Sequence, residues 1–427
     1  MGSMRRGVLW SEIDFGRRAR IHQLGAVLLF VGLAGRVFAA SDYDIEPDPI
    51  LSIRSLLDVR IVGPGQTPSW TDRGPAKTRY GGRRRSSGSS ERVIRFALAK
   101  LALEPSVSLP WRVRAHAQLD WAADVDDEGE VENDEAPRLI EGWLRREWST
   151  RRSGWGLQVG INNPPLAAES QGPAWTPSYT LTAAALTTWI WEEGRVAGAE
   201  GEWWHESNGG TRLGALFGGG WGPDQAGILL AQRGWVLSDR LSGVNSSLPL
   251  PGAAGETDVF DELDGRPAIY FGVHASDPRR IVNVRMGYFD NLGDGSTTGV
   301  WETRYGTGAI GLQPLDGLDV LLQGLLGRTS TRTNRFQSTV SAWFPLVSYR
   351  YRTHRLTVRY DHFRIDDDDG PPATRERGHA VTATYAFEIG LRHRLAFEYV
   401  WVDSERPEKS SPDPSDNQWQ LSYRFRY

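Results

Sequence analysis

The sequence predicts an all-β fold, a transmembrane antiparallel β-barrel of about 16 strands, with 14 to 18 allowed. Three observations predict it. Segments of about 9 to 13 residues recur in which every second residue is apolar, the length and period of a tilted membrane-crossing strand. The chain carries 18 Trp, 13 Tyr and 14 Phe at a mean hydropathy of only -0.43. From about residue 266 onward the linkers between these segments run short and long in turn.

The totals bound the alternatives. A chain of 427 residues with 24% charged residues has no mature apolar run near the ~18 residues that a membrane helix needs, so a helical membrane protein is excluded. The absence of cysteine removes a disulfide framework, a thiolate metal site, a cysteine nucleophile and a lipid-modified N-terminal anchor. A net charge of -4 gives no footing for nucleic acid. No cofactor or metal is expected.

Taken in order, residues 1–40 read as a cleavable signal peptide. Arg5, Arg6, Arg17, Arg18 and Arg20 precede an apolar run from Leu24 to Gly35, and Val37-Phe38-Ala39 supplies the small residues of a cleavage site. Residues 41–90 form an N-terminal segment. Ile50 to Val62 is a candidate first strand, followed by a Gly-, Pro- and Ser-rich stretch with Arg83-Arg84-Arg85, which reads as a solvated loop.

Residues 91–427 carry the barrel pattern. Trp111, Val113, Ala115, Ala117, Leu119 and Trp121 alternate with Arg112, Arg114, His116, Gln118 and Asp120; the same alternation marks 155–161, 269–274, 282–288, 318–323, 355–361, 381–388 and 394–401. Short linkers at 276–279, 313–317, 352–354 and 390–393 alternate with long polar ones at 290–299, 328–335, 365–377 and 403–417. That asymmetry fits short periplasmic turns and long outer loops. Upstream, the strand count comes out odd, which a closed barrel forbids, so one element is missed or invented near 180–191 or 235–263.

At the C-terminus, Trp419, Leu421, Tyr423, Phe425 and Tyr427 share one face of an extended strand, while Gln420, Ser422, Arg424 and Arg426 share the other. Here the chain resembles the bacterial outer-membrane β-barrel proteins, whose closing strand alternates aromatics and ends on one. The resemblance implies location in the outer membrane, contact with its lipid and lipopolysaccharide, and recognition of Trp419–Tyr427 by the barrel-insertion machinery. The stretches at 163–194, 234–240, 264–267 and 286–295 are similar to uncharacterised porin-like proteins and, more distantly, to the phosphate-selective porins, without the latter's basic ladder. That resemblance implies passive diffusion of small polar solutes or ions, and a homotrimer.

With apolar positions facing lipid, the expected pore lining is Arg112, Arg114, Asp120, Glu141, Arg145, Arg285, Glu302, Arg304, Arg355, Arg359, Asp361, Glu388, Arg394, Glu398, Arg424 and Arg426. The set is slightly basic, which points to weak anion preference. The stretch 163–194 is too long for a plain connection and is expected to fold inward as a constriction, with Trp175, Tyr179, Glu192 and Glu193 at it. Its alanines favour a helix, and its Thr and Trp content equally allows a strand. One enzymatic alternative is a lipid hydrolase. His205-Glu206-Ser207-Asn208-Gly209 is similar to the His-x-Ser-Asn-Gly segment of outer-membrane phospholipase A, with His205 as base and Ser207 as nucleophile. No Asn or carboxylate follows at the expected place to orient His205. The acidic runs 124–135 and 366–369 read as solvated loop surface.

Overall fold

The computed structural model describes residues 50–427 except 85–89, 126–130, 133–136, 171, 252–254, 259, 280, 333–335, 368–374 and 407–415. The leader expected over 1–40 and most of the 124–135 acidic run lie outside the described residues.

Sixteen strands form the barrel. They are β1 (Leu51–Gly63), β2 (Arg95–Leu109), β3 (Val113–Val125), β4 (Arg138–Ser149), β5 (Ser153–Asn162), β6 (Val196–Glu206), β7 (Arg212–Trp221) and β8 (Ala268–Ser276). The second half comprises β9 (Val282–Asp290), β10 (Glu302–Leu315), β11 (Leu318–Thr331), β12 (Phe336–Tyr351), β13 (His354–Asp367), β14 (Glu376–Ile389), β15 (His393–Glu405) and β16 (Asp416–Arg426). Each pairs antiparallel with the next, and the two-residue piece Val131–Glu132 extends the β3–β4 hairpin. The ring closes where β1 pairs with β16, Leu56 opposite Arg426 through Gly63 opposite Trp419. Closure leaves no strand edge to hydrogen-bond in lipid.

The alternation in the sequence maps onto the wall as expected. On β16, Gln418, Gln420, Ser422 and Arg424 are buried inside, whereas Leu421 is 45% exposed on the outside. Phe217, Phe271, Met286, Leu322, Val347, Val358 and Phe397 are exposed with it. Large apolar side chains outside and polar ones within reverse the pattern of a soluble protein, so lipid is the solvent of this belt. Among the described residues, neither 180–191 nor 235–263, where one element was in doubt, adds a strand to the wall. Within 180–191 begins a helix, α1 (Ala185–Glu193), and 235–263 is loop with the small hairpin Ser247–Pro249/Glu256–Asp258.

Loop lengths fix the orientation. Seven connections are tight turns; the eight on the opposite, extracellular side include the long ones at 64–94, 163–195 and 222–267. These three enter the barrel. Leu166, Ala184, Ala185, Leu186, Trp189 and Ile190 from the second, with Leu230, Trp235 and Leu237 from the third, pack on inner-wall Tyr270, Phe289, Tyr305, Leu325, Phe344, Phe363 and Val400. The barrel therefore has an apolar core within it. That core explains why β12 is apolar on both faces along 342–347.

Candidate functional site

The stretch 163–195 leaves the wall between β5 and β6 and crosses to β11–β16. There Glu398 Oε2 and Oε1 accept hydrogen bonds from the amides of Leu181 (2.5 Å) and Thr182 (2.9 Å). Arg359 Nη1 pairs with Glu169 (2.5 Å) and donates to the Thr182 carbonyl (2.8 Å), while its Nε reaches Asp361 (2.8 Å). Gln323 accepts from the Ala168 amide and donates to the Leu166 carbonyl, both at 2.8 Å. The segment folds inward, and its alanine-rich part is the helix α1.

Loop 222–267 sits on top of it. Its short helix α2 (Ile228–Gln232) starts where Glu193 accepts from the amides of Gly227 (2.8 Å) and Leu229 (3.2 Å). Glu192 pairs with Arg233 through both oxygens, at 3.2 and 2.5 Å. Glu192 and Glu193 thus do not border a water-filled passage; both are buried and hold one loop to the other. Further along, Asp239 pairs with Arg60 (2.5 Å) and with Arg79 (3.3 Å) of the 64–94 loop. Arg60 also meets Asp58 (2.6 Å) and Gln420 (2.8 Å), and Asp58 meets Arg424 (2.6 Å). Lys77 pairs with Glu376 at 2.6 Å. These charges of the outer half of the lumen are satisfied by one another.

The periplasmic half differs. Two adjoining cavities of about 410 and 510 Å³ share Tyr179, Gln313 and Asp319. Arg212, Arg279, Arg285, Arg350 and Arg355 face Asp316, Asp319 and Glu388 across them. Arg355 bonds Asp319 at 2.9 Å and lies over the Tyr179 ring at 5.2 Å. Tyr179, at the bend before α1, is therefore the roof of this vestibule, whereas Trp175 packs beside Trp191 and Ile140. The opposite wall is smooth because β5–β7 carry glycines inside. Gly214 and Gly218 leave no room for a Cβ beneath the flat-lying side chains of His274 and Tyr270.

The expected lining divides accordingly. Arg285, Arg355 and Glu388 line the vestibule, and Arg394 donates to the carbonyls of Ser178 and Tyr179 (3.3 Å each) above it. Arg145 faces inward and pairs with Glu202 at 2.5 Å; Glu141 pairs with His116 at 3.2 Å. On β3, Arg114 is the register partner of Arg145 on this inner face, and Arg426 ends β16. Asp120, Arg359, Asp361, Glu398 and Arg424 point inward and are buried, Arg359, Asp361 and Glu398 against the segment 163–195 and Asp120 and Arg424 against the wall residues Lys100 and Asp58. Three assignments need correction. Arg112 lies in the turn Pro110–Arg112, at φ 58°. Glu302 and Arg304 alternate with inward Thr303 and Tyr305 and so face outward at the extracellular rim. Their strand has left the lipid there, so the rule that polar means inside no longer holds. Missed altogether were Arg60, Asp239, Lys77 and Glu376, which lie in stretches without a clear period, and Arg212, which a parity reading of the glycine-rich β7 would have placed inside.

His205 is on the outer face, stacked on Trp203 (6.2 Å between centroids, 3° between planes). Ser207 belongs to the following turn, where its Oγ accepts from the Thr211 amide at 3.1 Å. Among the described residues no hydrogen bond joins His205 to Ser207.

No protein-family profile and no curated protein matches the chain. Solved structures do. The high-pH structure of Pseudomonas putida OprB aligns with a TM-score of 0.52 at 8% identity, over 88% of this chain and 94% of that one. The outer membrane channel DcaP of Acinetobacter baumannii aligns at 0.51 and 11% identity, over 88% and 97%. At such identities the likeness is one of fold. With its closed ring, lipid-facing belt and inward-folded loop, the chain has the fold of a porin-type transmembrane β-barrel.

Proposed function

We propose that this barrel is a channel for passive movement of small polar solutes or ions across the outer membrane, with a weak preference for anions. The observation that carries it is the periplasmic vestibule, where five arginines oppose three carboxylates inside a porin-type wall. Arginine stays charged in any surroundings, so the vestibule holds a fixed, slightly positive field that favours entry of anions. The outer half of the lumen is filled by loops 64–94, 163–195 and 222–267. Conduction therefore requires the last of these to shift, because it lies over the inward segment 163–195. Planar-bilayer recording of the purified protein tests both parts: discrete conductance steps are expected, with a reversal potential displaced towards the anion potential in a salt gradient. Zero conductance sinks the channel reading, and clear cation preference sinks the selectivity.

A lipid hydrolase built on His205 and Ser207 has the lipid-facing position in its favour and the engaged Ser207 Oγ against it. We expect His205→Ala to leave any phospholipid hydrolysis by the preparation unchanged. The resemblance to porins also implies a homotrimer, which chemical crosslinking in native membranes tests.

A further inference from the structure

We propose that the larger of the two vestibule cavities is a binding site for a small aromatic carboxylate; this rests on the channel reading above and names the kind of anion it would take. At about 510 Å³ the cavity has the size of a small-molecule site. Its wall holds a cation without a counter-ion. Arg285 projects inward from β9 between its register partners His274 on β8 and Ala309 on β10. Its inward neighbours are Asn283 and Gly287 on its own strand, Gly272 and Ser276 on β8, and Thr307 and Gly311 on β10, so no carboxylate adjoins it on the wall. Among the described residues Arg285 has no ion pair. Other inward arginines differ: Arg145 pairs with Glu202 (2.5 Å), Arg355 with Asp319 (2.9 Å) and Arg424 with Asp58 (2.6 Å). Asp319 is the one carboxylate lining this cavity among the described residues, and it is taken by Arg355 and by Gln313 Nε2 (2.7 Å). Arg212 lies over the Trp204 ring (4.9 Å) and has Glu206 as a register partner. Arg285 is therefore the guanidinium left for a solute, with the fork that matches a carboxylate.

The charge alone would draw any anion; the rest of the lining selects a flat apolar body. The cavity reaches the underside of the apolar core, since Ala168, Ala309 and Leu321 belong to that core and Tyr179 packs on it. Beside Arg285, the His274 ring lies flat on Gly214, where a Cβ would collide with its Cε1, Nε2 and Nδ1 atoms. The other face of the ring is turned to the cavity that His274 lines. A planar ring stacked on that face sets its carboxylate beside Arg285, with Ala309 and Leu321 at its edge. A small hydrated anion would leave those apolar side chains in water, and a neutral arene would leave the guanidinium without a counter-charge.

The test reads binding rather than conduction. Detergent-solubilised protein is titrated with 4-fluorobenzoate, with 4-fluorobenzyl alcohol and with fluoroacetate, and binding is read from fluorine NMR line broadening, with empty micelles subtracting partition into detergent. The unaltered protein should bind 4-fluorobenzoate at least about tenfold more tightly than the alcohol, which lacks the charge, or fluoroacetate, which lacks the ring. R285Q should lower 4-fluorobenzoate binding at least about tenfold, and H274A should weaken it severalfold while leaving fluoroacetate unchanged. R364Q, which removes an arginine paired with Asp366 (2.6 Å) on the outer rim, should change nothing. Retained heat-modifiable gel mobility certifies folding of each variant, and R285K, which keeps the charge without the fork, serves if R285Q fails it. Fluoroacetate or the alcohol bound as tightly as 4-fluorobenzoate, or undiminished binding by the folded Arg285 variant, overturns the assignment. Conductance without 4-fluorobenzoate binding removes this site and spares the channel, whereas binding without conductance removes the channel and spares the site.

Discussion

Replacing Asp239 by Asn should unseat the loop that covers the lumen. Asp239 is 2% exposed and its two oxygens serve two arginines, Arg60 on the wall and Arg79 in the 64–94 loop. The amide keeps the shape and removes the charge, leaving both guanidinium groups facing a neutral partner in a dry site. Breaking a buried ion pair costs about 3–5 kcal/mol. The lower end applies, because Arg60 keeps Asp58 and Gln420. The barrel wall is untouched, so the chain relieves the cost by letting 222–245 leave and water enter. About 3 kcal/mol shifts the balance between seated and displaced loop by about a hundredfold, since each ~1.4 kcal/mol is a factor of ten. Single-channel recording should then show an open fraction raised by that order, with Asp239→Glu restoring the unaltered behaviour. A folded Asn variant with the same open fraction and the same amide exchange over 222–245 would refute the idea that this loop is the obstruction.

Three further outcomes are expected. Glu398→Ala removes the acceptor for the Leu181 and Thr182 amides; at about 1–3 kcal/mol for each buried group left unpaired, the inward segment should loosen, read as faster amide exchange over 178–190 and noisier current. Arg285→Glu with Arg355→Glu turns five vestibule arginines into three and three carboxylates into five, so the reversal potential should change sign towards cations. In the outer loop, burial beside Asp224 pushes Glu262 from the usual 4.5 up to about 7, and Asp224, Glu262 and Asp264 converge within 4.8 Å. An acid whose folded pKa is raised favours the fold when protonated, so this loop should be best ordered below about pH 4.5 and lose that support as pH rises through about 7. Amide exchange over 222–267 at pH 5 and pH 8, corrected for intrinsic chemistry, should show it, and Glu262→Gln should flatten the difference.

The wall was legible and its contents were not, for one physical reason. Lipid enforces the period of two on every strand that crosses it, so Leu421 against Gln420, or Phe397 against Glu398, could be assigned a side from the sequence alone. The rule lapses where the constraint lapses: Glu302 and Arg304 stand above the lipid, Arg112 sits in a turn, and Glu192 and Glu193 lie on a helix whose surroundings are protein on all sides. A charged inner residue also looks the same in sequence whether water or another side chain neutralises it, which is why Arg359 and Glu398 read as pore lining and prove to be anchors. One signal did distinguish the two cases. A water-filled lumen demands polar residues inside, yet the run Ala342-Trp343-Phe344-Pro345-Leu346-Val347 is apolar on both faces, as are Leu321-Leu322 and Leu325-Leu326. Two-sided apolar strands need an apolar neighbour on each side. Lipid supplies one, and only an inserted segment of the same chain supplies the other, a requirement met by α1 with Leu186, Trp189 and Ile190 and by Trp235 of the loop above it.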